Sequence, residues 1–273
     1  MPQTICLADA LMISPEWCAQ FHVLLTDPPY SPHVHGSAVS QSKGRGARKR
    51  EFGFASLTPR LRRAVGMACA NVRRWGVVYS DVEHSSYMRI SAEAAGAEYI
   101  RTLPWVRWSM PQLSGDRPAQ GFEHVAIFYG TRSGRKHWNG PGNLTALLHN
   151  CLRGESKHKA EKPLDQCLDL VSWFSDPEEN VLDLFAGSGA IGQACRLLNR
   201  NYFGLELDPE WVEKGNMRLL SPQLSDSDFI RVNRWLESTD YEPAAQGEGP
   251  TAERTARRLA DKQRVRVALG LAA

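Results

Sequence analysis

Residues 180–206 read NVLDLFAGSGAIGQACRLLNRNYFGLE. The apolar run Asn180–Leu184 enters a turn at Phe185–Gly189 that carries two glycines. A helix is predicted from there to about Asn199, and Tyr202–Glu206 is a second apolar run that ends in an acid. Strand, turn, helix and strand in this order make the repeating unit of a parallel α/β sheet. Glycines in such a turn let a ligand approach the backbone closely, and the helix N-terminus favours negative groups. An acid at the end of the next strand, here Glu206, commonly accepts hydrogen bonds from ribose hydroxyls. Gly187, Gly189 and Gly192 also satisfy GxGxxG. A nicotinamide dinucleotide site therefore stays open as an alternative, although Asp183-Leu184-Phe185-Ala186 precedes the first glycine, where the dinucleotide fingerprint enters its glycines almost directly.

Outward from this unit the same alternation continues. Phe21–Thr26, Gly76–Ser80, Glu98–Trp105 and Phe122–Tyr129 read as strands. Thr58-Pro59 opens a helix as cap and first helical residue, Glu83–Ala95 is a helix stopped by Gly96, Pro163 starts one that runs to Phe174, and Asp208-Pro209 starts another to about Leu219. The expected fold is α/β, a doubly wound and mostly parallel sheet covered by helices on both faces. Residues 109–159 are weakly periodic and rich in Gly, Pro, His and Arg apart from one strand, and read as an inserted segment. Residues 221–273 read as a partly flexible, basic extension with a short helix near Thr251–Val267.

A second loop carries chemistry. Thr26-Asp27-Pro28-Pro29-Tyr30 follows an apolar strand, and open parallel sheets bind ligands beyond the carboxyl ends of their strands. The prolines stiffen the backbone and remove N–H groups, which leaves the Asp27 carboxylate and the Pro28 carbonyl as acceptors beside an aromatic ring. That combination suits an exocyclic amino group on a planar ring stacked on Tyr30, a task that asks only for the tyrosine ring.

Composition bounds the rest. The chain has 273 residues, 42% hydrophobic and 23% charged, with a net charge of +3. This is enough to bury a sizeable core. The N-terminus lacks the basic start and apolar run of a signal peptide, and no stretch is long and apolar enough for a membrane span, so an intracellular, cytoplasmic protein is expected. Six cysteines without a CxxC argue against disulfides and structural zinc. His33 and His35 lack an evident third ligand, and no metal site is expected. Residues 31–63 hold eight basic side chains against one acid, a local +7. The stretch 31–56 reads as a long loop, and Lys43, Arg45, Arg48, Lys49 and Arg50 within it are candidates for gripping phosphates.

The pair DPPY and FAGSG resembles the S-adenosylmethionine-dependent amino-methyltransferases of DNA, and the order of the two motifs resembles the circularly permuted β-type of that family. The resemblance covers roughly residues 5–220 and implies a Rossmann-like methyltransferase domain over 1–220, with 109–159 as a target-recognition insertion. Ala8-Asp9-Ala10-Leu11 stands where β-type enzymes keep a Gly-Asp pair that meets the cofactor adenine, with Ala8 in place of the family's glycine. His158, Lys162 and Pro163 match the family segment that precedes the glycine motif. The resemblance thus implies catalytic roles for Asp27, Pro28, Pro29 and Tyr30. It implies cofactor contacts for Asp9, Ala10, Asp27, Lys162, Pro163, Asp183, Phe185, Ala186, Gly187, Ser188, Gly189 and Glu206. DNA is the implied partner, with a homodimer allowed. The implied reaction is direct in-line methyl transfer to an amino nitrogen of a base flipped out of the duplex. Asp27 favours adenine N6, since cytosine-N4 enzymes more often carry Ser there. None of the six cysteines follows a proline, which argues against the cysteine-dependent cytosine-C5 route. Arg107 and Glu123 are read as supporting the site without reacting.

Overall fold

The computed structural model describes residues 3–30, 39–42, 45–49, 56–106, 121–130, 136–142, 144–149, 161–238 and 250–271, with backbone alone over 39–49 and at 250–251. Its strands are β1 (Thr4–Leu7), β2 (Val23–Thr26), β3 (Val39–Ser42), β4 (Arg45–Lys49), β5 (Trp75–Ser80), β6 (Glu98–Val106), β7 (Phe122–Tyr129), β8 (Asn180–Asp183) and β9 (Asn201–Glu206). Its α-helices are α1 (Pro15–Cys18), α2 (Pro59–Asn71), α3 (Ser85–Ala94), α4 (Leu164–Phe174), α5 (Ala190–Leu197), α6 (Pro209–Leu220), α7 (Asp226–Glu237) and α8 (Pro250–Ala268).

Seven strands form one sheet in the order β1-β9-β8-β2-β5-β7-β6. All neighbours among the first five are parallel, and β7 runs antiparallel to both β5 and β6. The central strands β2 (VLLT) and β5 (WGVVYS) are buried at every position, as expected where helices cover both faces of a parallel sheet. The period of two assigns alternate residues to opposite cores. Val23 and Leu25 pack on one side with Leu168, Val171 and Trp235, while Leu24 packs on the other with Val65, Ala68 and Met88.

Local signals behave as their chemistry requires. Thr58 caps α2, its hydroxyl accepting from the Leu61 N–H at 3.2 Å, with Pro59 in the first turn. Asp208 caps α6 in the same way at 2.9 Å. Pro163 precedes the first helical residue of α4 and does not itself begin the helix. Part of the stretch expected to be a loop, 31–56, forms the antiparallel ribbon β3–β4, with Ser40 opposite Arg48 and Ser42 opposite Arg45.

The region beyond residue 220, where a partly flexible extension was expected, holds two helices that pack on α4. All eleven residues of α4 are buried, including Asp165 and Asp169. Arg231 of α7 reaches Asp165 at 3.0 Å, and Arg258 of α8 reaches Asp169 at 2.8 Å. Trp235 donates to Asp169 at 2.7 Å. On the same helix face, burial alone would lower the His149 pKa, but Asp165 and Asp169 raise it to about 9. A buried carboxylate without such partners would be strongly destabilising, so the acidic positions of α4 require α7 and α8. No described helix is long and apolar enough to cross a membrane.

Candidate active site

The strand order sets the loops after β1, β9, β8, β2 and β5 side by side along one edge of the sheet. In spatial sequence this edge carries Ala8–Ala10, Glu206, Leu184–Gly189 and Asp27–Tyr30. The two motifs lie 153 residues or more apart in the chain (from Tyr30 to Asp183), yet they extend from neighbouring strands, β2 and β8.

Asp183, the last residue of β8, is buried. Its Oδ1 accepts from the Thr26 hydroxyl at 2.8 Å and from Phe185 N at 3.1 Å, and its Oδ2 accepts from the Tyr202 hydroxyl at 3.2 Å. The Thr26 hydroxyl in turn accepts from Leu184 N at 3.0 Å. These bonds tie the residue before Asp27 to the residues that open the glycine turn, so the two loops are held in one register. Burial raises the Asp183 carboxyl to about 7, against the pull of the Phe185, Thr26 and Tyr202 donors.

The glycine turn has φ of 50° at Gly187 and 77° at Gly189, a left-handed backbone that side chains rarely adopt. Gly189 is the N-cap of α5, which aims that helix N-terminus at the turn. Gly192 serves packing instead, since a Cβ there would lie 2.6 Å from the Tyr202 ring. The third glycine of the GxGxxG pattern thus permits close helix–strand approach. Glu206 Oε2 accepts from Gly187 N at 2.8 Å, and its Oε1 accepts from Leu207 N and Asp208 N at 2.8 and 3.0 Å. Ala186 donates to Leu205 O at 2.8 Å, and Ser188 accepts from Arg218 through its carbonyl at 3.1 Å. Beside this turn, Ala8 N donates to Glu206 O at 3.0 Å, and Asp9 accepts from Leu11 N at 2.8 Å. Asp9, Ala10, Phe185–Gly189 and Glu206 therefore gather at one end of the edge.

The acceptor loop is built differently from its sequence expectation. Lys162 Nζ lies 2.8 Å from Asp27 Oδ2, 3.6 Å from Glu123 Oε2 and 3.0 Å from the Tyr30 hydroxyl, to which it donates. Tyr30 in turn donates to Glu123 through a short hydrogen bond. The same ammonium faces the rings of Tyr79, Tyr30 and Trp105 at 4.8, 5.0 and 5.5 Å from their centroids. Asp27 Oδ1 is buried and has no hydrogen-bond partner among the described residues. Burial holds the Asp27 carboxyl above the usual carboxylate range, and Lys162 and the Tyr30 hydroxyl offset only part of that rise. A buried unpaired acceptor is costly unless something else completes it, so Oδ1 has acceptor capacity that the described residues leave unused.

Lys162, expected with the cofactor contacts, thus places its ammonium on the acceptor loop, and Pro163 follows it at the start of α4. Glu123, expected only to support the site, touches both Tyr30 and Lys162. The acid's position in the mostly apolar strand FEHVAIFY was the available signal. Tyr79 and Trp105 were not legible as site residues, because only the sheet brings them to the loop; Thr26 was quoted with the loop, but its bond to Asp183 exists only because β2 and β8 are neighbours. Arg45, Arg48 and Lys49 lie on β4 with side chains outside the described set. Lys43, Arg50, His33, His35, Arg107 and His158 lie outside the described residues, as does most of 109–159.

Residues 21–217 match the sequence model of the N6/N4 methyltransferase family, described as DNA methylase. The chain belongs to the DNA methylase family. It is 31% identical over 134 residues to the type II methyltransferase M.XycI of Xanthomonas campestris pv. cyanopsidis, a match that spans 45% of this chain and 44% of that protein. It is 37% identical over 83 residues to the putative methylase YubD of Escherichia coli K12, covering 30% and 37% of the two chains. The matched part is thus less than half the length of these curated relatives. Among solved structures, the M1.HpyAVI–SAM complex aligns with a TM-score of 0.58 at 23% identity, over 79% of this chain and 99% of that one. The cytosine-N4-specific PvuII DNA methyltransferase aligns at 0.57 and 16% identity, over 85% and 91%. At these identities the structural likeness speaks for the fold: the α/β sheet that the alternating strands and helices led one to expect, in the Rossmann-like form that the resemblance implied.

Proposed function

We propose that the protein transfers a methyl group from S-adenosylmethionine to the exocyclic amino group of a DNA base, adenine N6 in the first place. The observation that carries this reading is Asp27 Oδ1, a buried acceptor without a partner among the described residues, beside the Tyr30 ring and one strand from the glycine turn. The donor end fits as well. The positive φ at Gly187 and Gly189, the N-terminus of α5 and the Glu206 carboxylate suit an adenosyl group carrying an amino-acid tail, and the fold neighbour M1.HpyAVI was solved with this ligand. Bound there, S-adenosylmethionine supplies an electrophilic methyl on a sulfonium.

The chain's own residues then position the nucleophile. An aromatic amino nitrogen is a weak nucleophile because its lone pair is delocalised into the ring. Hydrogen bonds from that group to Asp27 Oδ1 and the Pro28 carbonyl favour a more tetrahedral nitrogen with its lone pair turned toward the methyl. Transfer would break the S–C bond as the N–C bond forms, and Asp27, the charged acceptor of the loop, would be placed to take the proton then lost from the nitrogen. The base reaches this loop only outside the helix, and stacking on Tyr30 offsets part of the few kcal/mol of unstacking. The basic ribbon β3–β4 and its flanks would contact the DNA backbone, and 109–159 would read the sequence.

Incubation with labelled S-adenosylmethionine and duplex DNA, followed by digestion to nucleosides, tests the proposal. Label in N6-methyladenine supports it as stated. Label in N4-methylcytosine reassigns the base and keeps the mechanism. A protein that binds NAD in preference to S-adenosylmethionine and labels no base would refute it.

A further inference from the structure

We propose that Lys162 is the positioning residue of the acceptor loop: by occupying Asp27 Oδ2 it holds the carboxylate as an acceptor and leaves Oδ1 turned to the incoming amino group. The inference rests on the reading of the site as an amino-methylating one, and it assigns the lysine to the methyl-accepting side of that site.

Four observations carry it. The ammonium is 2.8 Å from Asp27 Oδ2, while Oδ1 has no partner among the described residues, so the two oxygens are already differentiated. The Lys162 side chain is only 8% exposed and is walled by Tyr30, Tyr79 and Trp105, so it cannot swing away into solvent. Its segment is fixed by α4, which begins two residues later and is buried along its length. Finally, the groups facing Asp27 are unbalanced without it. Glu123 of β7 and Asp183 of β8 are both acids, Tyr30 offers a hydroxyl donor but no charge, and Lys162 is the cation that reaches the carboxylate in the described structure. Two carboxylates in one enclosed site do not both stay ionised readily. Without Lys162, Asp27 would take up a proton and present an O–H, a donor facing the donor it must bind. An acceptor loop of this kind therefore needs a fixed positive charge on the far oxygen.

The test compares wild type, Lys162→Met and Lys162→Arg. The Asp27 carboxyl is titrated by carbon-13 NMR, with Asp27→Asn used to assign its resonance. Single-turnover methyl transfer is followed against pH, and S-adenosylmethionine binding is measured separately. In Lys162→Met the Asp27 midpoint should rise by ~1–3 pH units, the change expected on removing an opposite charge at this distance. Transfer near neutral pH should fall at least ~10-fold and recover as the pH passes the new midpoint. Lys162→Arg should restore both, and methyl-donor affinity should hold throughout. An Asp27 midpoint in Lys162→Met equal to that of wild type overturns the inference, as does a variant whose defect lies wholly in methyl-donor affinity. If the wild type methylates no DNA base, the proposed function fails, while the titration still decides whether Lys162 governs Asp27.

Discussion

Replacing Asp27 separates the chemistry of the acceptor loop from its structure. In Asp27→Ala the Lys162 ammonium keeps Tyr30 and Glu123 within 3.0 and 3.6 Å, and one cation then faces one carboxylate where it had faced two. The fold should therefore survive with little loss of stability. What disappears is the charged acceptor at Oδ1. A charge-assisted hydrogen bond in a closed site is worth ~1.5–3 kcal/mol, and at about 1.36 kcal/mol per tenfold this predicts a fall in transfer rate of roughly 10- to 150-fold. Asp27→Asn should be no better. Its single carbonyl oxygen is claimed by Lys162, which turns the amide NH2 toward the substrate amino group, donor against donor. Single-turnover transfer of labelled methyl to duplex DNA measures the effect, with S-adenosylmethionine and DNA binding measured alongside. Wild-type rates in either variant would refute the reasoning, and so would a loss confined to binding of either ligand.

The hydroxyl of Tyr30 bonds Glu123 and accepts from Lys162, so Tyr30→Phe should cost about 3- to 30-fold in rate, where ring stacking alone would have predicted almost none. Tyr30→Ala should cost more, read in the same assay. Gly187→Val, a β-branched residue at φ 50°, should abolish S-adenosylmethionine binding by calorimetry, whereas Gly192→Ala should lower stability by ~1–3 kcal/mol through its clash with Tyr202. The Asp183 carboxyl is raised from 3.8 to about 7, so between those values the folded protein holds a proton that the unfolded chain has released. Its contribution to stability is full at acid pH and declines as pH rises through that window; Asp183→Asn should flatten the change in urea midpoint between about pH 5 and about pH 7.5. Replacing Arg45, Arg48, Lys49 and Arg50 with Ser should weaken DNA binding and flatten its salt dependence, by about 0.9 in log–log slope for each phosphate no longer neutralised, while methyl-donor affinity stays intact.

The sequence by itself determined the α/β class, the two chemical loops and most of the elements, because these depend on neighbours in the chain. Apolar runs such as Val23–Thr26, caps such as Thr58-Pro59 and glycines that need positive φ are local properties. Three things were decided only by tertiary structure. The tail could not be read as part of the core: α8 is highly charged and looks solvated until Arg258 and Asp261 are seen opposite Asp169 and Arg200. The reversed direction of β7 was equally hidden, since an apolar strand reads the same in either sense. The wiring of Asp27 was the third. Lys162 is 135 residues from Asp27 and Glu123 is 96, and nothing in either local pattern says that they converge. Their meeting depends on the order of strands in the sheet and on where α4 begins, and the electrostatics of the site follow from that meeting.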